Sequence, residues 1–230
     1  MSNSSPVTIF LIAVNVVIFF ISRSDRNTMD QMIMWPYYVK RKHQYHRFIT
    51  SGFLHADLVH LFFNMFTLYF FGSALENILT HPELHLGGRL SYLLLYFSSI
   101  VISDIPCFVK YRNTYGYRSL GASGAVSAVV FATMLFNPWG SIYLYGAVKI
   151  SSALYAILFI LYCIYMGKRG QDNINHDAHL WGAVFGLVFT LGLVNYFNKE
   201  IMDAILNEIQ RPHNFPSYQD FFKPILFGIN

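Results

Sequence analysis

Apolar residues in this chain are gathered into six long runs, over residues 6–21, 58–79, 90–109, 121–136, 143–166 and 177–197, with polar stretches between them. A soluble core would scatter its apolar positions with a helix or strand period. Unbroken runs of this length instead match the hydrocarbon thickness of a bilayer and predict an all-α fold of six membrane-spanning helices. No basic segment precedes the first run and no small-residue cleavage motif follows it, so it is expected to be retained as a span. A polar, partly amphipathic tail begins at Lys199, where Pro212, Pro216 and Pro224 argue against one continuous helix. With no internal repeat or low-complexity tract, residues 1–230 read as a single membrane domain. Its core is about 6–197 and its tail 198–230.

Two stretches depart from a plain bundle. Residues 22–56 interleave Trp35, Tyr37, Tyr38, Tyr45, Phe48 and Phe53 with Lys40, Arg41, Lys42 and Arg47. That mixture suits a structured first loop lying at the membrane interface, with rings at headgroup depth and cations reaching water. The fourth run is also short, and at 1.5 Å per residue it covers roughly 24 Å against ~30 Å of hydrocarbon. Its start is expected to lie below the membrane surface, approached by the polar loop 110–120. Irregular backbone at that depth is tolerated where it lines a water-filled cavity.

Composition agrees. Of 230 residues, 54% are hydrophobic and 12% charged, about half the charge density usual for a soluble domain. That excludes a disordered chain, a coiled coil and a charge-rich nucleic-acid binder. The net charge of +4 reads as loop lysines and arginines that help set orientation, with no nucleic-acid partner implied. Cys107 and Cys163 fall in or beside apolar runs and read as small buried hydrophobes, with no disulfide framework or zinc ribbon.

Polar side chains inside spanning runs are costly, so each carries information. His60 and Asn64 stand one helical turn apart at the start of the second run, Ser123 at the start of the fourth, and His179 at the start of the sixth. Alternating topology puts the starts of even-numbered spans on one membrane side, which groups these four residues. Gly124, Ala128 and Ala132 form a small-residue stripe on the fourth run, and Ala178, Gly182 and Gly186 form another on the sixth. Such stripes let transmembrane backbones approach closely, and facing stripes would bring Ser123 near His179. Serine needs an adjacent base to act as a nucleophile, and histidine supplies one near neutral pH. Donors for a developing oxyanion are available from helix-start N–H groups, Asn64 and His60. Asp177 is two residues from His179 and would point elsewhere, so a Ser–His dyad fits better than a triad.

These residues resemble the rhomboid family of intramembrane serine proteases. The resemblance rests on Gly121-Ala122-Ser123-Gly124, on Ala178-His179 with Gly182 and Gly186, and on the stretch His60-Leu61-Phe62-Phe63-Asn64-Met65. His55, Arg47, Phe70-Phe71-Gly72 and Glu76 extend it. It implies a six-helix bundle with Ser123 as nucleophile and His179 as general base. His60, Asn64 and the Ser123 main-chain N–H would form the oxyanion hole, and Gly121 would place its loop against the site. It further implies single-pass transmembrane substrates entering laterally past the fifth helix and its following cap loop. No cofactor, metal or obligate partner is implied, and the minimal six-helix form resembles that of prokaryotic inner-membrane members. The sequence departs from the family at His46-Arg47, where Trp-Arg is common. It departs again at Ser127, where some members carry an aromatic ring that stacks on the histidine.

Loop charges point against the family's orientation. Most of the loop cations, from Arg23 to Arg169, fall on the active-site side, with Arg89, Lys199, Arg211 and Lys223 opposite. Counted naively, this puts the site in the cytoplasm. The family pattern, an inner N-terminus and an outward-facing site, is nonetheless the expectation, because the first loop reads as a structured interfacial element. Two rivals to the protease reading are a catalytically inactive relative that binds or chaperones membrane proteins, and a metal protein using His176 and His179 at i, i+3. Asp104, near the end of the third run, reads as a solvated carboxylate.

Overall fold

The computed structural model describes residues 5–144, 148–169 and 174–210. The tail prolines Pro212, Pro216 and Pro224 lie outside the described residues, as does part of the cap loop after the fifth run. Among the described residues, five helices are long and apolar enough to cross a membrane: Pro6–Ser24, Leu58–Thr80, Gly88–Tyr111, Ser152–Arg169 and His176–Phe197. We call these α1, α5–α6, α7, α9 and α10. The second contains a π-helical turn over Leu68–Gly72 between α5 (Leu58–Thr67) and α6 (Ser73–Thr80). The fourth run forms α8 over Ser123–Leu135, about 20 Å long and too short to span the hydrocarbon alone.

α8 is the centre of the bundle. Every residue from 124 to 135 is buried, so this helix has no lipid-facing side. Its partner is α10, and their approach is set by the two stripes. A Cβ on Gly182 would overlap the backbone of Gly124, and one on Gly186 would overlap that of Ala128. Thr133 Oγ1 adds a bond at 3.1 Å to the Phe71 carbonyl, in the π-helical turn. The outer helices expose apolar side chains, among them Phe10, Phe66, Leu90, Leu161 and Val188, as lipid solvation requires.

The first loop is folded. It contains α2 (Arg26–Met32), α3 (Pro36–Lys42), α4 (Arg47–Thr50) and a 3₁₀ turn over Ser51–Phe53. Asp25 caps α2 by accepting from the Thr28 hydroxyl and from the N–H groups of Asn27 and Thr28, and these bonds, the hydroxyl's first, hold its carboxyl below the ordinary value. Arg47 is buried and binds the loop together, donating to the carbonyls of Asp30 and Ile33 at 2.8 and 2.7 Å and to Gln44 at 2.8 Å. A β-bridge between Met34 and Ser119 ties this loop to the approach to α8. The indole of Trp35 donates to the Tyr115 carbonyl and stacks under Arg118.

Two sequence expectations are corrected. The fifth run does not start its helix at 143. Residues Ser141–Leu144 and Val148–Ser151 form an antiparallel hairpin, β1 and β2, and α9 begins at Ser152. Hydropathy registers apolar content and is blind to period, so it merged a β-branched alternating segment with the span behind it. The all-helical expectation therefore gains one small hairpin, anchored by bonds from Ser152 N–H to the Gly140 carbonyl and from Ala153 N–H to the Pro138 carbonyl. Asp104 is not a solvated carboxylate. It is buried inside α7 and accepts from Ser51 Oγ at 3.4 Å. The partly amphipathic start of the tail is a helix, α11 (Lys199–Gln210), which buries Ile205 and Glu208.

Candidate active site

Three helix starts converge on one side of the bundle, and each is positioned by local chemistry. Asp57 caps α5, its carboxylate accepting from the His60 N–H at 2.7 Å, which puts His60 in the first turn and Asn64 one turn below. Asn175 caps α10 by accepting from the Ala178 N–H at 3.1 Å, which puts His179 in the first turn of that helix. α8 has no side-chain cap and begins at Ser123 itself, leaving first-turn N–H groups without intrahelical acceptors. A polar residue just before an apolar run is a cap signature, so Asp57 and Asn175 were findable in the sequence.

Gly121 makes the approach to Ser123. Its φ of 132° lies in the region that favours glycine, and its N–H donates to the Ser51 carbonyl at 3.0 Å. A Cβ at this position would stand 2.9 Å from His60 Cε1, 3.2 Å from His60 Nε2 and 3.6 Å from Ser123 Oγ. The imidazole of His60 and the hydroxyl of Ser123 therefore share the space that glycine leaves empty.

A cavity of about 1040 Å³ opens here, and its lining includes Ser123, His179, His60 and Asn64. The four predicted residues thus line one cavity. Asn64 is buried and donates one amide hydrogen to the His60 carbonyl at 3.0 Å, leaving its second hydrogen as a further donor. The Ala56 N–H approaches His60 Nδ1 at 3.5 Å. That arrangement favours the tautomer with its proton on Nε2, on the side of Gly121 and Ser123. Gly124 and Gly182 do not line the cavity. They act behind it, with Gly186, by bringing α8 and α10 together.

Sequence reasoning missed several members of the site. Ser127 cannot stack on His179, and the ring that does so is Phe159 of α9, with centroids 6.4 Å apart and planes 25° from parallel. Tyr155 and Phe159 both line the cavity. No local motif marks them, because they come from a different helix. Asp177, which also lines the cavity, forms an ion pair with Lys110 at 3.1 Å. His55 is buried beside His60, with ring centroids 5.1 Å apart.

The sequence is similar to known proteins. The sequence pattern of the Rhomboid domain matches residues 42–196. RHOMBOID-like protein 12, mitochondrial, of Arabidopsis thaliana is 32% identical over 62% of this chain and 45% of its own length. The human presenilin-associated rhomboid-like protein, mitochondrial, is 31% identical over 70% of this chain and 42% of its own length. The putative rhomboid protease YdcA of Bacillus subtilis is 26% identical over 80% of this chain and 87% of its own length. The chain thus spans less than half of the plant and human relatives and most of the bacterial one. With a Rhomboid domain pattern covering most of its length, this membrane protein belongs to the rhomboid family.

Proposed function

We propose that this chain is a serine endopeptidase that cuts peptide bonds in or near transmembrane segments of other membrane proteins. The observation that carries this reading is the meeting of Ser123, His179, His60 and Asn64 in one cavity beside the short, buried helix α8. In this reading His179 accepts the proton of Ser123 Oγ as that oxygen attacks the scissile carbonyl carbon. Charge develops on the former carbonyl oxygen and is met by the Ser123 N–H, the Asn64 amide and His60 Nε2–H. The protonated His179 then gives its proton to the leaving amine. Water admitted through the cavity hydrolyses the acyl-enzyme by the same sequence in reverse.

A transmembrane substrate would reach the site past α9, which supplies Tyr155, Phe159 and Met166 to the cavity wall. The outward orientation of the site is supported by the engagement of its loop cations within the fold. Arg47 is buried, Lys110 pairs with Asp177, and Arg118 pairs with Asp30. The spans make this an integral multi-pass membrane protein. Two of the relatives are mitochondrial by name and one is from a bacterium, so the prokaryotic plasma membrane is one of several hosts that the family offers.

The test is labelling of the purified chain by a serine-reactive fluorophosphonate, together with cleavage of a reconstituted transmembrane substrate. Both are expected in the wild type. Ser123→Ala should lose both, and His179→Ala should lose cleavage. Undiminished cleavage by Ser123→Ala would overturn the assignment, and absence of both signals in the folded wild type would favour an inactive, binding-only relative.

A further inference from the structure

A second chemical feature lies behind His179. Cys163 of α9 and His176 and His179 of α10 place their donor atoms within 4.8 Å of one another. The two histidines are three residues apart on the first turn of α10, with ring centroids 6.0 Å apart and planes at 80°. Cys163 reaches them from the facing helix. It is 1% exposed and His176 is 3% exposed, while both histidines also line the large cavity.

Three donors from two helices, two of them lining a cavity, are the elements of a three-ligand metal site with one open position. A tetrahedral ion bound at 2.0–2.3 Å by nitrogen and sulfur holds its donors ~3.3–3.7 Å apart, so small side-chain rotations would close this set. The donor chemistry is selective. One thiolate and two imidazoles suit Zn²⁺ or Co²⁺, and the set contains no carboxylate to favour Mg²⁺ or Ca²⁺. Among the described residues no comparable set surrounds the other cysteine, Cys107, which is engaged with the Tyr117 hydroxyl at 3.0 Å.

We propose that Cys163, His176 and His179 form an inhibitory site for a soft divalent cation such as Zn²⁺. On binding, the Cys163 thiol releases its proton to water, and both imidazoles coordinate as neutral ligands through a ring-nitrogen lone pair. Neutral imidazole has one lone-pair nitrogen and one N–H nitrogen. With its lone pair on the metal, His179 has no acceptor left for the Ser123 proton, whichever nitrogen coordinates. The ion is therefore an off-switch and not a cofactor. This regulatory consequence rests on the proposed role of His179 as base, whereas the metal site itself does not.

The experiment titrates the purified full-length chain in detergent micelles with Co²⁺, reading the thiolate-to-metal charge-transfer absorption, and in parallel measures cleavage under Zn²⁺. The expected result is a thiolate–Co²⁺ band in the wild type and in Cys107→Ala, lost in both Cys163→Ala and Cys163→Ser. Zn²⁺ should suppress wild-type cleavage, and a chelator should restore it. Cys163→Ala should keep its basal cleavage and need at least tenfold more Zn²⁺ for the same inhibition. Absence of the band in the folded wild type, or its persistence in both Cys163 variants, overturns the site. Equal Zn²⁺ sensitivity of wild type and Cys163→Ala overturns the switch. If the chain cleaves nothing, the Co²⁺ band still decides the metal site, and fluorophosphonate labelling decides the protease reading separately.

Discussion

Gly182 of α10 lies so close to the carbonyl of Gly124 in α8 that a Cβ on Gly182 would overlap that backbone oxygen. Neither backbone can yield without moving a helix, and the helices concerned begin at Ser123 and His176. Close packing of these two glycines is therefore what brings the proposed nucleophile and base to the same cavity.

Gly182→Ala should accordingly lower thermal stability, by ~1–3 kcal/mol on the scale of overpacked cores, and should reduce cleavage in the same preparation. Gly192, on the same helix, has open space where its Cβ would stand. Gly192→Ala should be neutral or stabilising by up to ~1 kcal/mol through helix propensity. Thermal unfolding in detergent compares the two, and equal effects would contradict the packing argument.

Phe159 lies beside His179 across the α9–α10 boundary. If it holds the imidazole in place, Phe159→Ala should lower kcat by about 2- to 10-fold, the equivalent of ~0.5–1.5 kcal/mol for an aromatic pair. Phe159→Tyr should retain most of the rate. Steady-state cleavage of a reconstituted substrate separates this outcome from a change in KM alone.

Asn64 keeps one amide hydrogen beyond its bond to the His60 carbonyl. As an oxyanion donor it should be worth ~2.7–4 kcal/mol, so Asn64→Ala should lose about 10²- to 10³-fold in kcat. Its unfolding temperature should change little, and Ser123 should still be labelled by fluorophosphonate. A variant that unfolds, or one that cleaves at the wild-type rate, would remove Asn64 from the reaction.

Burial pulls the His55 imidazole from its ordinary 6.5 down to about 4, with neighbouring His60 as the second cause. The unfolded chain therefore takes up a proton near pH 6.5 that the folded chain resists until about pH 4. This group's stabilising effect is complete above pH 6.5 and is lost as the pH falls towards 4, by up to ~3 kcal/mol. Unfolding temperatures measured across that window should fall on acidification, and the slope should flatten in His55→Gln whatever the absolute stability of that variant.

Much of this protein is written in its linear pattern. Apolar runs fix the spans because bilayer thickness translates directly into residue count, and the short fourth run already marks α8 as unusual. Isolated polar residues in such runs are expensive, so Ser123, His179, His60 and Asn64 stand out from the order of residues alone. The two small-residue stripes even name the faces that meet. What the linear pattern could not supply is anything that depends on which helices are neighbours. Phe159 replaces the missing aromatic at 127 from another helix, Cys163 joins His176 and His179 across a helix boundary, and Asp104 is buried where its position suggested water. The hairpin ahead of α9 was hidden because hydropathy sums composition and discards period. Sequence alone determined which residues lie in the membrane and at helix starts, because each residue bears its own cost of burial. Tertiary structure alone decided which of them touch, because contact depends on the approach of backbones that Gly182 and Gly124 permit.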